Sequence, residues 1–242
     1  METWLYRHDE VLTPRPYAVD VDCHDWLWEG CGTNRLVGHN LRTAALRRVA
    51  LPEMGGRPVY SVFAWQDRLV LLLGTAPFYL VYDPAADTCV RRPIPAASVA
   101  GAGPICWYGT KACQGRKLLL YDRSESRTLI LDAPEAEPRV VPFPYSGQLA
   151  AGTAHADGLV YSGLEDPARI VCFDPEAERF VDEIPGPAPD VPLGPQLLHR
   201  GVLHCTSSSR GRIYPLDLAR RRWGEPMATP DHGKVYGFVG GG

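Results

Sequence analysis

The sequence predicts an all-β fold made by repeating one small sheet. Three observations carry that reading: a phrase that returns at nearly constant spacing, short apolar runs bounded by turn residues, and abundant turn formers. The phrase is an apolar run, a polar anchor, a tight turn and a second run. It is plainest at Tyr79-Leu80-Val81-Tyr82-Asp83-Pro84 and at Ile170-Val171-Cys172-Phe173-Asp174-Pro175. Five anchors, Asn40, Asp83, Asp132, Asp174 and Asp217, are separated by 43, 49, 42 and 43 residues. In the first three copies a proline stands twelve residues past the anchor, at Pro52, Pro95 and Pro144. The 24 glycines and 23 prolines among 242 residues exceed the average usage of roughly 12% for the two together.

The second copy shows the elements in order. Val59 to Trp65 reads as a strand, and Gln66-Asp67-Arg68 as its turn. Leu69 to Leu73 is a second strand, closed by Gly74-Thr75-Ala76-Pro77. Phe78 to Tyr82 is a third, and Cys89 to Ile94 a fourth. Each run is short, rich in β-branched and aromatic residues, and ends at turn formers. The fourth copy repeats the pattern at Leu159 to Ser162, Arg169 to Phe173 and Arg179 to Ile184. The best helical stretch, Thr43 to Arg48, falls on the hairpin between third and fourth strands. Runs such as Leu69 to Leu73 are apolar on both faces, so each sheet needs cover on both sides. Radial packing of sheets supplies it and protects the edges.

Four strands in about 45 residues is the size of a propeller blade. The expected architecture is therefore a β-propeller of about five four-stranded antiparallel blades, one domain over residues 1–242. Its units are expected at 16–56, 57–103, 104–147, 148–194 and 195–234, with 235–242 starting a further blade. Five closed blades fit the length, and a truncated six- or seven-bladed ring is the alternative.

The repeats also carry a family likeness. Tyr82-Asp83-Pro84-Ala85-Ala86-Asp87-Thr88, with Arg91-Arg92-Pro93-Ile94-Pro95 behind it, resembles the third-to-fourth-strand hairpin of Kelch-type and F-box-associated propellers. Phe173 to Phe180 is similar. The Gly-Gly pair of Kelch repeats is reduced to one glycine at Leu73-Gly74-Thr75 and Ser162-Gly163-Leu164, and no F-box-like segment precedes the first copy. Asp157-Gly158-Leu159-Val160-Tyr161 is shared with lyase and lactonase propellers. The likeness implies binding at the mouth of the central channel. Fold alone assigns no activity.

Composition narrows the partners. Twenty-five Lys and Arg against 28 Asp and Glu give a net charge of -3, which recommends neither nucleic acid nor an anionic membrane. No apolar run approaches the ~18–20 residues of a membrane span. The N-terminus lacks a basic segment followed by an apolar one. Seven cysteines, an odd number without C-x-x-C spacing, read as free and mostly buried thiols in a cytoplasmic, reducing setting.

In a propeller, one face carries the loops between second and third strands and the connections between blades. The polar residues expected there are Asn34, Asp122, Glu125, Glu165, Asp166, Ser207, Arg210 and His232. They form the candidate ligand-binding set at the channel mouth, for a protein or small-molecule ligand. No H-E-x-x-H, G-x-S-x-G or phosphate loop accompanies them, so no catalytic residue, no metal ligand and no resident cofactor is assigned. The enzymatic alternative is a metal-assisted lyase or lactonase-like propeller, in which convergent acidic groups hold Ca²⁺ or Mg²⁺. The repeated basic pairs Arg47-Arg48, Arg91-Arg92 and Arg220-Arg221-Arg222 read as a solvated outer rim. Trp26, Trp28 and Trp65 read as packing between blades, and His24 and His155 as structural hydrogen-bonding residues.

Overall fold

The computed structural model describes residues 19–30, 34–95, 106–122, 127–145, 149–164, 166–207 and 211–228. The segment 235–242 expected to begin a further blade lies outside them. So do Glu125, Glu165, Arg210 and His232.

Five antiparallel sheets follow one another along the chain as the blades of a β-propeller. Blade 1 comprises β1 (Val19–Val21), β2 (Trp26–Gly30), β3 (Arg35–Asn40) and β4 (Leu46–Ala50). Blade 2 comprises β5 (Ser61–Trp65), β6 (Arg68–Leu72), β7 (Phe78–Asp83) and β8 (Thr88–Pro93). Blade 3 comprises β9 (Cys106–Ala112), β10 (Lys117–Asp122), β11 (Arg127–Leu131) and β12 (Arg139–Pro142). Blade 4 comprises β13 (Leu149–Ala156), β14 (Leu159–Leu164), β15 (Arg169–Asp174) and β16 (Arg179–Pro185). Blade 5 comprises β17 (Leu193–His199), β18 (Val202–Ser207), β19 (Arg212–Asp217) and β20 (Arg222–Trp223), and β21 (Met227–Ala228) also pairs with β19. Strands within a blade pair in chain order and are called A to D below. Among the described residues the one helical element is a single 3₁₀ turn, Pro52–Met54. The stretch Thr43 to Arg48 is a turn running into β4, as the repeat register requires.

Turn chemistry explains the hairpins. Three A–B turns, Gln66-Asp67, Asp157-Gly158 and Arg200-Gly201, have positive φ at both residues. That is what a two-residue hairpin matching the strand twist demands. The anchor residues cap the C–D turns. Asp83 accepts from the backbone N–H groups of Ala85 and Ala86 at 2.8 and 3.0 Å. Asp174 accepts from those of Glu176 and Ala177 at 2.9 Å each. Asn40 plays the same part toward Arg42 and Thr43 at 3.1 and 2.8 Å. A carboxylate or amide oxygen bonded to the backbone two and three residues on stabilises such a turn. This is why the anchor recurs.

Packing between blades follows from period-2 geometry, in which alternate side chains of a strand face opposite sides. On β6, Leu69 and Leu71 enter a cluster with Trp28, Leu36 and Met54 of the first blade and its outgoing connection. Val70 and Leu72 enter a different cluster, with Leu118, Leu120 and Leu129 of blade 3. On β10, Leu118 and Leu120 face blade 2, while Leu119 and Tyr121 face Val160, Val171 and Phe173 of blade 4. Ile170 and Cys172 of β15 join Leu203, Cys205 and Leu216 of blade 5. Each apolar layer thus belongs to two neighbouring sheets. Inner strands touch in sequence: β1 with β5, β5 with β9, β9 with β13, and β13 with β17. Trp28 is fully buried, with Tyr82 of the next blade edge-on at 6.0 Å between ring centres.

The basic outer pairs are not a merely solvated rim. Arg47 on β4 donates to the Pro84 carbonyl at 2.6 Å and to Asp87 at 3.0 Å, both in the C–D turn of blade 2. Arg139 on β12 holds Glu178, in the C–D turn of blade 4, and Lys117 reaches the same carboxylate at 2.8 Å. Between blades 4 and 5 the charges are reversed: Arg221 in the turn grips Asp182 on β16. Arg47 and Arg139 each close on the turn of the next blade, whereas Arg91 donates to the Glu53 carbonyl at 2.7 Å, in the connection before its own blade.

Candidate site at the channel mouth

In a meander, B–C loops and D–A connections share one face, and A–B and C–D turns share the other. The first is the mouth face. The buried polar residues collect near it. Besides the turn anchor Asn40, those among the described residues are Ser61, Asp122, Arg127, Thr128, Ser162, Gln196, Thr206 and Ser207. They lie in the mouth-side halves of strands A, B and C, interspersed with core residues such as Leu164 and Leu193.

The centre of this tier is an ion pair. Asp122, the last residue of β10, is 1% exposed, and Arg127, the first of β11, is 8% exposed. The two are register partners across the B–C loop. Arg127 Nε donates to Asp122 Oδ2 at 2.9 Å, and its Nη2 donates to the Pro95 carbonyl at 2.6 Å, in the connection leaving blade 2. A buried carboxylate needs such a partner, because desolvating a lone charge costs several kcal/mol. The pair also ties two blades together at the rim of the channel.

Asn34 is held as well. It has φ of 58°, its side chain accepts from Gly56 N–H at 2.8 Å, and its carbonyl accepts from Leu51 N–H at 2.9 Å. It thereby fastens the B–C loop of blade 1 to the following connection. Asp166 is exposed on the B–C loop of blade 4 and precedes a cis proline. Ser207 ends β18 fully buried, and its hydroxyl has no partner among the described residues. The hydroxyl of Thr128 is likewise without one. Of the eight expected mouth residues, Asn34, Asp122, Asp166 and Ser207 are thus described, each on a B–C loop or at a strand end beside one.

Six members of the tier stand outside the expected set, Arg127, Thr128 and Gln196 among them. Arg127 was hidden behind a loop of four residues, although opposite charges facing across a hairpin stabilise it. Thr128 sits beside it on β11. Gln196 interrupts the apolar run of β17. Its amide, oriented to satisfy both ends, donates to the Tyr161 carbonyl at 3.0 Å and accepts from Gly163 N–H on blade 4. A glutamine at an inner-strand position was the available signal.

Below the mouth, the inner strands are cross-linked by polar groups. Lys111 Nζ donates to Asp20 at 2.8 Å and to the Ala64 carbonyl at 3.1 Å, joining blades 3, 1 and 2. Thr110 and His155 Nε2 share a hydrogen bond of 2.8 Å between β9 and β13. Desolvation lowers the pKa of His155 below its usual value, which favours the neutral ring in that bond. The five cysteines with described side chains carry free thiols. Burial pushes Cys172 up to about 11 and Cys89 to about 12, so neither is a reactive thiolate. Cys23 departs from the expectation of burial, being exposed in the first A–B turn.

The mouth and its blades define a β-propeller. No family model matches the chain, and no curated sequence matches it. Solved structures do. Virginiamycin B lyase from Staphylococcus aureus, in a catalytically inactive variant with quinupristin, is 14% identical, with a TM-score of 0.74 over 93% of this chain and 75% of the lyase. The Swd1 β-propeller domain from Myceliophteria thermophila is 13% identical, with a TM-score of 0.68 over 88% of this chain and 73% of that one. Dihydro-heme d1 dehydrogenase NirN is 13% identical, with a TM-score of 0.65 over 85% of this chain and 45% of the enzyme. At such identities the likeness is one of fold.

Proposed function

We propose that the protein is a binding propeller whose mouth face takes a protein or small-molecule ligand. The observation that supports this is the buried polar tier beneath the B–C loops, with the hydroxyls of Ser207 and Thr128 free of partners among the described residues. A few placed polar groups on rigid strands near the mouth suit recognition. The Asp122 carboxylate is already engaged by Arg127, which argues against its service as a metal ligand or catalytic acid. The net charge of -3 favours a ligand other than nucleic acid or a membrane surface. We keep the Kelch-type and F-box-associated kinship, and a cytoplasmic setting, within the same reading. Their support is the hairpin residues and the free thiols.

A second reading, a metal-assisted lyase or lactonase-like enzyme, is favoured by the structural likeness to virginiamycin B lyase. Metal analysis of the purified protein and a thermal-shift series with Ca²⁺ and Mg²⁺ separate the two. Stabilisation that Asp166→Arg abolishes would support the enzyme. For the binding reading, ligand-observed fragment screening is run on the native protein, on Asp166→Arg with Asn34→Ala, and on Arg220→Glu at the opposite face. Hits should weaken with the mouth variant and survive the Arg220 change. Hits indifferent to the mouth variant would sink the proposal.

A further inference from the structure

The face opposite the mouth holds a cluster that the binding reading leaves unused. Cys23 and His24 occupy the A–B turn of blade 1, and Asp67 that of blade 2. One ligand atom from each, a thiol sulfur, an imidazole nitrogen and a carboxylate oxygen, lies within 4.8 Å of both others, and all three side chains are exposed. Cys23 Sγ is 3.0 Å from Asp67 Oδ1, across 44 residues of sequence. We propose that this cluster is a zinc site joining the first two blades, with Cys23, His24 and Asp67 as protein ligands and water in the fourth position.

The chemistry selects the ion. Tetrahedral zinc takes sulfur at ~2.3 Å and nitrogen or oxygen at ~2.0–2.2 Å, so its ligand atoms stand roughly 3–4 Å apart. The observed cluster needs only small side-chain movements to reach that spacing. A thiolate and an imidazole favour zinc over calcium or magnesium, which prefer oxygen. On binding, the zinc–sulfur bond forms as the Cys23 thiol gives its proton to solvent.

The turns are already fixed. Asp22 accepts from the backbone N–H groups of His24 and Trp26 at 2.9 and 3.0 Å, and from Trp28 Nε1 at 2.7 Å. Those bonds hold Cys23 and His24 in place on one side. Asp67, with φ of 59°, is set by a two-residue hairpin on the other. Charge is favourable too. The carboxylates of Asp67 and Asp22 both act on Cys23, so a cation there meets negative charge. Arg68, next in sequence, donates to the Asp67 backbone carbonyl at 3.1 Å and pairs with the carboxylates of Asp83 and Glu135 rather than that of Asp67. The other cysteines with described side chains are buried or half-buried, so Cys23 is the accessible sulfur among them.

The test uses the full chain, stripped with chelator and titrated with Co²⁺ and then Zn²⁺. One equivalent of cobalt should give thiolate-to-cobalt charge transfer and tetrahedral ligand-field bands, which zinc abolishes. Cys23→Ser should remove the charge-transfer band. Asp67→Asn and His24→Ala should each weaken zinc at least ~tenfold, as losses around a metal commonly do. Melting of the metal-free variants verifies that they fold. No cobalt–thiolate band, or one that persists in Cys23→Ser, overturns the proposal. So does affinity unchanged by both Asp67→Asn and His24→Ala.

Discussion

The two faces of the molecule use ion pairs differently. At the mouth, Asp122 and Arg127 are 1% and 8% exposed and also reach the backbone of a neighbouring connection. At the opposite rim, Arg139 meets Asp132 and Glu178 with its side chain 45% exposed, and Arg42 meets Asp25 with side chains 78% and 44% exposed. The chemistry is the same, but the surroundings differ. In a dry setting, losing one partner leaves a costly stranded charge. In a wet setting, water and salt replace it at little cost. The rim can therefore spread many weak clasps around the blades, while at the mouth the Asp122–Arg127 pair is the deeply set one among the described residues.

The largest expected effect comes from the mouth. Asp122→Ala strands Arg127, and urea denaturation should show a loss of about 3–5 kcal/mol. A paired replacement, Asp122→Leu with Arg127→Met, should recover much of it. Full loss in the double variant would contradict the stranded-charge explanation.

Next come the close approaches between strands. A Cβ on Gly109 would stand 2.5 Å from the Leu119 carbonyl and 3.0 Å from Phe63 of blade 2. Gly109→Ala should cost about 1–3 kcal/mol, as overpacking does. An unchanged denaturation midpoint would show that β9 can retreat. Asn40→Ala removes the buried cap of the first C–D turn. It should cost about 1–2 kcal/mol, the range for losing a hydrogen-bonding cap.

The rim yields smaller, pH-dependent effects. The Arg139 and Lys117 cations bring the Glu178 pKa down from 4.5 to about 2. A carboxylate whose folded pKa is depressed adds stability above its unfolded pKa. That stability fades as pH falls toward the folded value. The gap between the native protein and Glu178→Gln should therefore be full at neutral pH and close between about 4.5 and about 2. A gap constant over that window would show that Glu178 acts by packing. Arg42→Ala should change the melting temperature least of all, near measurement error, because both charges already face water.

Much of the fold was legible because alternation is written residue by residue. Leu69-Val70-Leu71-Leu72 is apolar on both faces, and both faces are indeed covered, by blades 1 and 3. The anchors Asp83 and Asp174 could be found because their work is local, within three residues. The rim clasps were hidden for the opposite reason. Arg47 and Asp87 are 40 residues apart, and which basic residue meets which turn depends on twist between sheets. The mouth was legible only by position: B–C loops could be placed, but burial of Asp122 by Arg127 could not. The cluster of Cys23, His24 and Asp67 joins turns of separate blades, so no sequence spacing could announce it.

Two double-mutant cycles, Asp122 with Arg127 and Arg139 with Glu178, each at low and roughly 1 M salt, test the division between faces most directly. At that salt the screening length falls to about 3 Å. The Asp122–Arg127 coupling should stay large and nearly constant, while the Arg139–Glu178 coupling starts small and shrinks further. A mouth coupling that collapses in salt as the rim coupling does would contradict the account.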